Sequence, residues 1–207
     1  WAQDVLKHGH YVLLDTETTG VQGDDEIVQI TILGDNGQSV FTTLVQPTKA
    51  IVPAAAAIHH LTAAMLANAP TFPQVYEHIK CALDNRRVIT MARPSGVARR
   101  ACNAPKTCHR NAAFVTRLLD QCCQRYGLPL LRYFVVECAM LQYAAFVGEC
   151  DDGTTAVRCA PGAQRVKDVP SKRGGWKWQK LPGGDHSAGG DCQAMLDLIR
   201  KMAEAQP

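Results

Sequence analysis

Tyr11-Val-Leu-Leu-Asp15-Thr-Glu17-Thr-Thr-Gly20 is the stretch on which the reading of this chain turns. It opens as an apolar run and reads as a buried strand of a central sheet. Residues two apart in a strand point to the same face, so Asp15 and Glu17 project together from its end. Two carboxylates held side by side repel, and each favours protonation or neutralisation. A hard divalent cation relieves that repulsion, and oxygen ligands of this kind suit magnesium or manganese. Thr18, Thr19 and Gly20 then turn the chain, with Gly20 expected to take backbone angles that other residues avoid.

The neighbouring sequence supplies a sheet. Glu26 to Leu33 alternates well enough for a second strand, Gly34-Asp-Asn-Gly37 has hairpin-turn composition, and Ser39 to Val45 is the third strand. Pro47 to Ala55 reads as irregular. Thr62 is a plausible N-cap for a helix through Ala67. Helical periodicity marks Phe72 to Leu83, Asn111 to Tyr126, Ala139 to Val147 and a last helix within His186 to Ala205. Arg87 to Thr90 and Phe134 to Cys138 read as short strands. Three consecutive antiparallel strands after a carboxylate-bearing edge fit an α/β chain with a ribonuclease H-like fold, a central mixed sheet flanked by helices.

At 207 residues the chain is expected to form one domain, with 46% hydrophobic and 20% charged residues. The net charge of +3 does not name a nucleic-acid partner by itself. No apolar run reaches bilayer length and no secretory pattern opens the chain, which points to a cytoplasmic protein that makes no membrane contact. The first residue is Trp1 rather than Met, which leaves room for an upstream segment. The nine cysteines form no CxxC pair, so they read as reduced thiols, several of them buried. Cys102, Cys108 and His109, with Cys81 or Cys150, are the best partial set for a structural zinc, and a weak one.

Asp15-Thr-Glu17-Thr-Thr-Gly20 resembles the first motif of the DEDD exonuclease superfamily, in the branch typified by the proofreading subunit of bacterial DNA polymerase III. Two further motifs carry the resemblance over nearly the whole chain. Gly184-Asp185-His186-Ser-Ala-Gly-Gly-Asp191 contains the His-x4-Asp pattern of the DEDDh branch. Asn111-Ala-Ala-Phe114-Val115 matches the second motif in register, but Val115 stands where the family has an acid. Asp120 points away from that face of the helix and does not substitute for it.

The resemblance implies a 3′–5′ exonuclease that hydrolyses terminal phosphodiesters of DNA with two magnesium or manganese ions about 4 Å apart. Asp15, Glu17 and Asp191 would be metal ligands and His186 the general base. Thr18, Thr19, His59, Asn111 and Phe114 would contact substrate. His59 also has a bland reading, a loop histidine packed on the sheet. The missing acid would weaken the second ion, so activity is expected to be lowered, and an acid restored at position 115 to raise it. The expected partner is a single-stranded DNA 3′ end, with a DNA polymerase as a further candidate. A catalytically silent nucleic-acid-binding module of the same fold and a ribonuclease of the same branch are the alternatives.

Two basic stretches stand out. About twenty residues from Met91 to Arg110 separate a strand from the helix it should enter directly, which is long for such a connection. They carry Arg93, Arg99, Arg100, Lys106, His109 and Arg110 and no acid. They read as a phosphate-gripping arm or as a solvated insertion. Asp151 to Leu181 places Trp176 and Trp178 among Arg and Lys, a composition that serves single-strand binding or core packing.

Overall fold

The structure is a computed structural model that describes residues 1–91, 112–147 and 181–205. The expectations for Asn111, for the basic insertion beyond Met91, for the zinc set apart from Cys81, and for Trp176 and Trp178 lie outside the described residues.

The chain runs α1 (Ala2–His8), β1 (Tyr11–Thr18), β2 (Ile27–Gly34), β3 (Ser39–Leu44), α2 (Pro53–His59), α3 (Ala63–Leu66), α4 (Phe72–Leu83), β4 (Arg87–Thr90), α5 (Ala112–Arg125), β5 (Val135–Cys138), α6 (Ala139–Val147) and α7 (Ala188–Glu204). The strands form one sheet in the order β3-β2-β1-β4-β5. β1 pairs antiparallel with β2, β2 antiparallel with β3, and β1–β4 and β4–β5 are parallel. The carboxylate-bearing strand is therefore the middle of the sheet and not an edge. Its four leading residues, Tyr11 to Leu14, are all buried because helices cover both faces.

Alternation along β1 sorts the core into two layers. Val12 and Leu14 join Ile79, Leu83, Leu118 and Leu119 on the side of α4 and α5. Tyr11 and Leu13 join Val5, Cys192, Leu196 and Ile199 on the side of α1 and α7. Asp15 and Glu17 continue the second series, so they emerge on the α7 side.

Local chemistry explains most element boundaries. Gly37 sits at φ 79 in the β2–β3 turn and donates its N–H to Gly34 O at 2.9 Å. Thr62 caps α3, its hydroxyl accepting from Met65 N–H, and the Gln74 side chain accepts from Thr71 N–H at 2.7 Å to open α4. Ser187 caps α7, accepting from Gly190 N–H at 3.0 Å. The stretch expected to be irregular contains the start of α2. Pro53 stands in its first turn, where a missing N–H does no harm, and the following alanines are strong helix formers. Among the described residues no helix is long and apolar enough to cross a membrane.

Candidate active site

Strand β1 delivers Asp15 and Glu17, and the first turn of α7 delivers Asp191. One carboxylate oxygen of each lies within 4.8 Å of the others. Two of the expected metal ligands are thus two residues apart, and the third is brought in from the far end of the chain. His186 lies just before α7, and its backbone N–H donates to Asp191 Oδ1 at 3.2 Å. Its φ of 63 is rare for a side chain with a Cβ, so the loop holds the imidazole in an unusual direction.

The electrostatics agree with the geometry. Burial, then the charges of Glu17 and Asp191, raise the Asp15 carboxyl well above the usual carboxylate range. Burial, then Asp191 and Asp185, push Glu17 up to about 7. Burial raises Asp191 as well. The three carboxylates crowd one another, with the His186 charge acting the other way on Asp191, and form a donor set suited to a hard divalent cation.

Glycines make room at the α7 entrance. A Cβ at Gly184 would meet Asp191 Oδ1 at 2.6 Å, and one at Gly190 would meet Asp185 Oδ1 at 2.1 Å. Gly20 works in the same way. Its need is space and not positive φ, because a Cβ there would meet Asp25 Oδ2 at 2.6 Å. The expectation of unusual backbone angles at Gly20 is corrected accordingly.

The turn after Glu17 is locked by groups the sequence reading passed over. The Thr19 hydroxyl donates to Asp25 Oδ1 at 2.9 Å and accepts from Glu26 N–H at 3.0 Å. The Thr19 N–H donates to Glu26 O, and its carbonyl accepts from Val52 N–H, each at 2.8 Å. The Thr18 hydroxyl donates to Gly20 O at 2.5 Å. Both threonine side chains are therefore spent on the turn. Asp25 also receives Lys49 Nζ at 3.0 Å, and Glu26 accepts from Thr48, Lys49 N–H and Arg125. The Asp-Asp-Glu run gave little signal of this, since three adjacent acids in a loop ordinarily read as a solvated face.

His59 is buried at the end of α2. Its Nδ1 accepts from Leu61 N–H at 3.0 Å, so Nε2 carries the proton and donates to Thr18 O at 3.2 Å. Burial lowers its pKa, which suits a neutral ring. Both ring nitrogens are occupied by backbone, so a contact with substrate falls to the ring face. His60 follows at φ 59, a left-handed conformation that glycine adopts without strain.

Phe114 packs against the α5-side core with the Arg117 guanidinium 5.6 Å from its ring centre. Val115 is buried in that same layer with Val12 and Leu14. Asp15 and Glu17 emerge on the α7 side of the sheet.

The exonuclease family model matches residues 12–95, which include Asp15 and Glu17. A protein named uncharacterized exonuclease CP81, from Escherichia phage 186, is 29% identical over 93% of this chain and 88% of its own length. DNA polymerase III subunit epsilon of Treponema pallidum (strain Nichols) is 34% identical, over only 36% of this chain and 37% of that protein. Among solved structures, exonuclease X in complex with 5′ overhanging duplex DNA has 24% identity and a TM-score of 0.53, covering 93% of this chain and 90% of that one. The nuclease domain of 3′hExo, a DEDDh family member bound to rAMP, has 15% identity and a TM-score of 0.54, covering 93% and 92%. These structures share the fold, which is ribonuclease H-like.

Proposed function

We propose that this chain, an exonuclease of the DEDD superfamily, removes nucleotides from the 3′ end of single-stranded DNA. The observation that carries the reading is the meeting of Asp15, Glu17 and Asp191 within 4.8 Å, with His186 on the segment that delivers Asp191.

Asp15, Glu17 and Asp191 would hold magnesium or manganese, and His186 would take the proton of the attacking water. Cations held there would supply charge neutralisation at the scissile phosphate. Water oxygen bonds to phosphorus as the P–O3′ bond breaks, and the released 3′ oxygen takes a proton from solvent and leaves as a hydroxyl. The locked turn Thr18–Gly20 holds the end of β1 at a fixed height, which sets where Glu17 stands relative to Asp191. His59 would offer its ring face to the terminal nucleotide while its Nε2 braces Thr18 and its Nδ1 holds Leu61. Asn111 and Phe114, from the second motif, would line the same subsite. A polymerase remains a candidate partner, on the partial likeness to epsilon subunits.

One observation favours a second reading. Residue 115 is valine and is buried in an apolar layer, so the second motif contributes no acid at that position, and a nucleic-acid-binding module without turnover follows if that acid is indispensable. Single-stranded DNA labelled at its 3′ or its 5′ end separates the readings, with magnesium or manganese present and the His186→Ala variant alongside. Early loss of the 3′ label, absent in the variant, supports the exonuclease. Binding with no loss of label supports the silent module, and early loss of the 5′ label overturns the proposed polarity. The same assay on RNA tests the ribonuclease alternative.

A further inference from the structure

We propose that Gln29 is a positioning residue that sets the third motif against the first. Gln29 lies on β2 directly across from Glu17 in the β1–β2 ladder, and Thr31 lies across from Asp15. The side chains of such pairs share a face, so these two residues floor the carboxylate site. The Gln29 Oε1 accepts the N–H of Ala188, the first residue of α7, at 3.1 Å. Four residues on, the Cys192 thiol approaches Thr31 O at 3.6 Å. The α7 entrance is thereby pinned to β2 on either side of Asp191.

The leverage of that bond is large. Ala188 stands two residues after His186 and three before Asp191. Ser187 satisfies the helix entrance locally by capping Gly190, which shapes the turn but does not say where it docks. Gln29 joins it across 159 positions of chain to the strand beside Glu17. A helix free to slide along the sheet would carry Asp191 and His186 away from Asp15 and Glu17 together. The amide also fits its surroundings. A carboxylate would accept the same N–H, but it would add a further negative charge beside Asp15, Glu17 and Asp191. Gln29 supplies the acceptor without the charge.

The proposal rests on reading the three carboxylates as a cation site, so the test starts with Mn2+ binding to the full chain by calorimetry. Gln29→Met keeps the bulk and loses the acceptor. It is expected to bind Mn2+ about 10-fold more weakly, the usual effect of removing a group that orients a ligand. The thermal midpoint of the cation-free protein should move by a few degrees at most. Gln29→Glu keeps the acceptor and is expected to hold parental affinity at about pH 8, with a midpoint for binding displaced to higher pH. A purely structural role would move the thermal midpoint and leave affinity and its pH profile alone. Parental affinity in Gln29→Met overturns the proposal, as does equal loss in Gln29→Glu. If Gln29→Met fails to fold, Gln29→Asn, one methylene too short to reach Ala188, takes its place with the same expectation. Failure of the parent chain to bind Mn2+ would instead overturn the cation-site reading.

Discussion

Val115 and Asp15 lie on opposite faces of the central sheet, Val115 in the layer built by Val12 and Leu14 and Asp15 on the side of α7. An acid introduced at position 115 enters an apolar layer. Val115→Asp is expected to cost roughly 3 kcal/mol of stability. It should leave the nuclease rate unimproved per folded molecule. Urea unfolding and a 3′-label assay check the two parts, and a large gain in rate would show that residue 115 reaches the metal site.

The carboxylate site dictates a pH dependence. Glu17 is raised from an ordinary 4.5 to about 7, and Asp15 and Asp191 are raised too, so the folded chain holds protons that the unfolded chain has released. The cation-free protein should lose stability as pH rises from the ordinary carboxylate range through about 7. Magnesium or manganese should remove that loss, and bind more tightly across the same window as the protons leave. Thermal midpoints from about pH 5 to pH 8, in chelator and in Mn2+, test this. Glu17→Gln should flatten the chelator series, and a parent chain that gains stability across the window would contradict the assignment.

Arg125 fastens the helix of the second motif to the turn of the first. Its Nη1 donates to Glu26 Oε1 at 2.5 Å and its Nη2 to Asp24 O at 2.8 Å. Glu26 is buried, and its backbone engages Thr19 through two hydrogen bonds. Removing the guanidinium leaves Glu26 with its backbone and Thr48 partners alone. Arg125→Ala is expected to cost about 2 kcal/mol by chemical denaturation. Arg125→Lys should recover less than half, because an ammonium cannot reach both acceptors from one fork.

His60 occupies the left-handed region at φ 59 on an exposed surface, at the C-terminal end of α2. Glycine relieves that strain without removing a buried contact. His60→Gly is expected to stabilise the protein by about 1 kcal/mol and raise the thermal midpoint by about 3 °C. A fall in the midpoint would mean that the His60 side chain makes a contact worth more than the strain.

Much of the site was legible in the chain itself. α4 and β4 occupy the residues that periodicity marked, Phe72–Leu83 and Arg87–Thr90. Asp15 and Glu17 share a face because side chains alternate in any strand, and Asp191 lies in the first turn of the helix that periodicity marked within His186 to Ala205. These features depend on periods of two or 3.6 residues, which a sequence displays directly. What the sequence could not display is pairing between distant segments. The central place of β1, the face taken by Val115, the tautomer of His59 braced against Thr18, and the bond from Gln29 to Ala188 all depend on which strand or helix comes to lie beside which. Such neighbours are chosen by joint burial of two core layers and by the need of each buried polar group for a partner, and those conditions exist only once the chain has closed on itself.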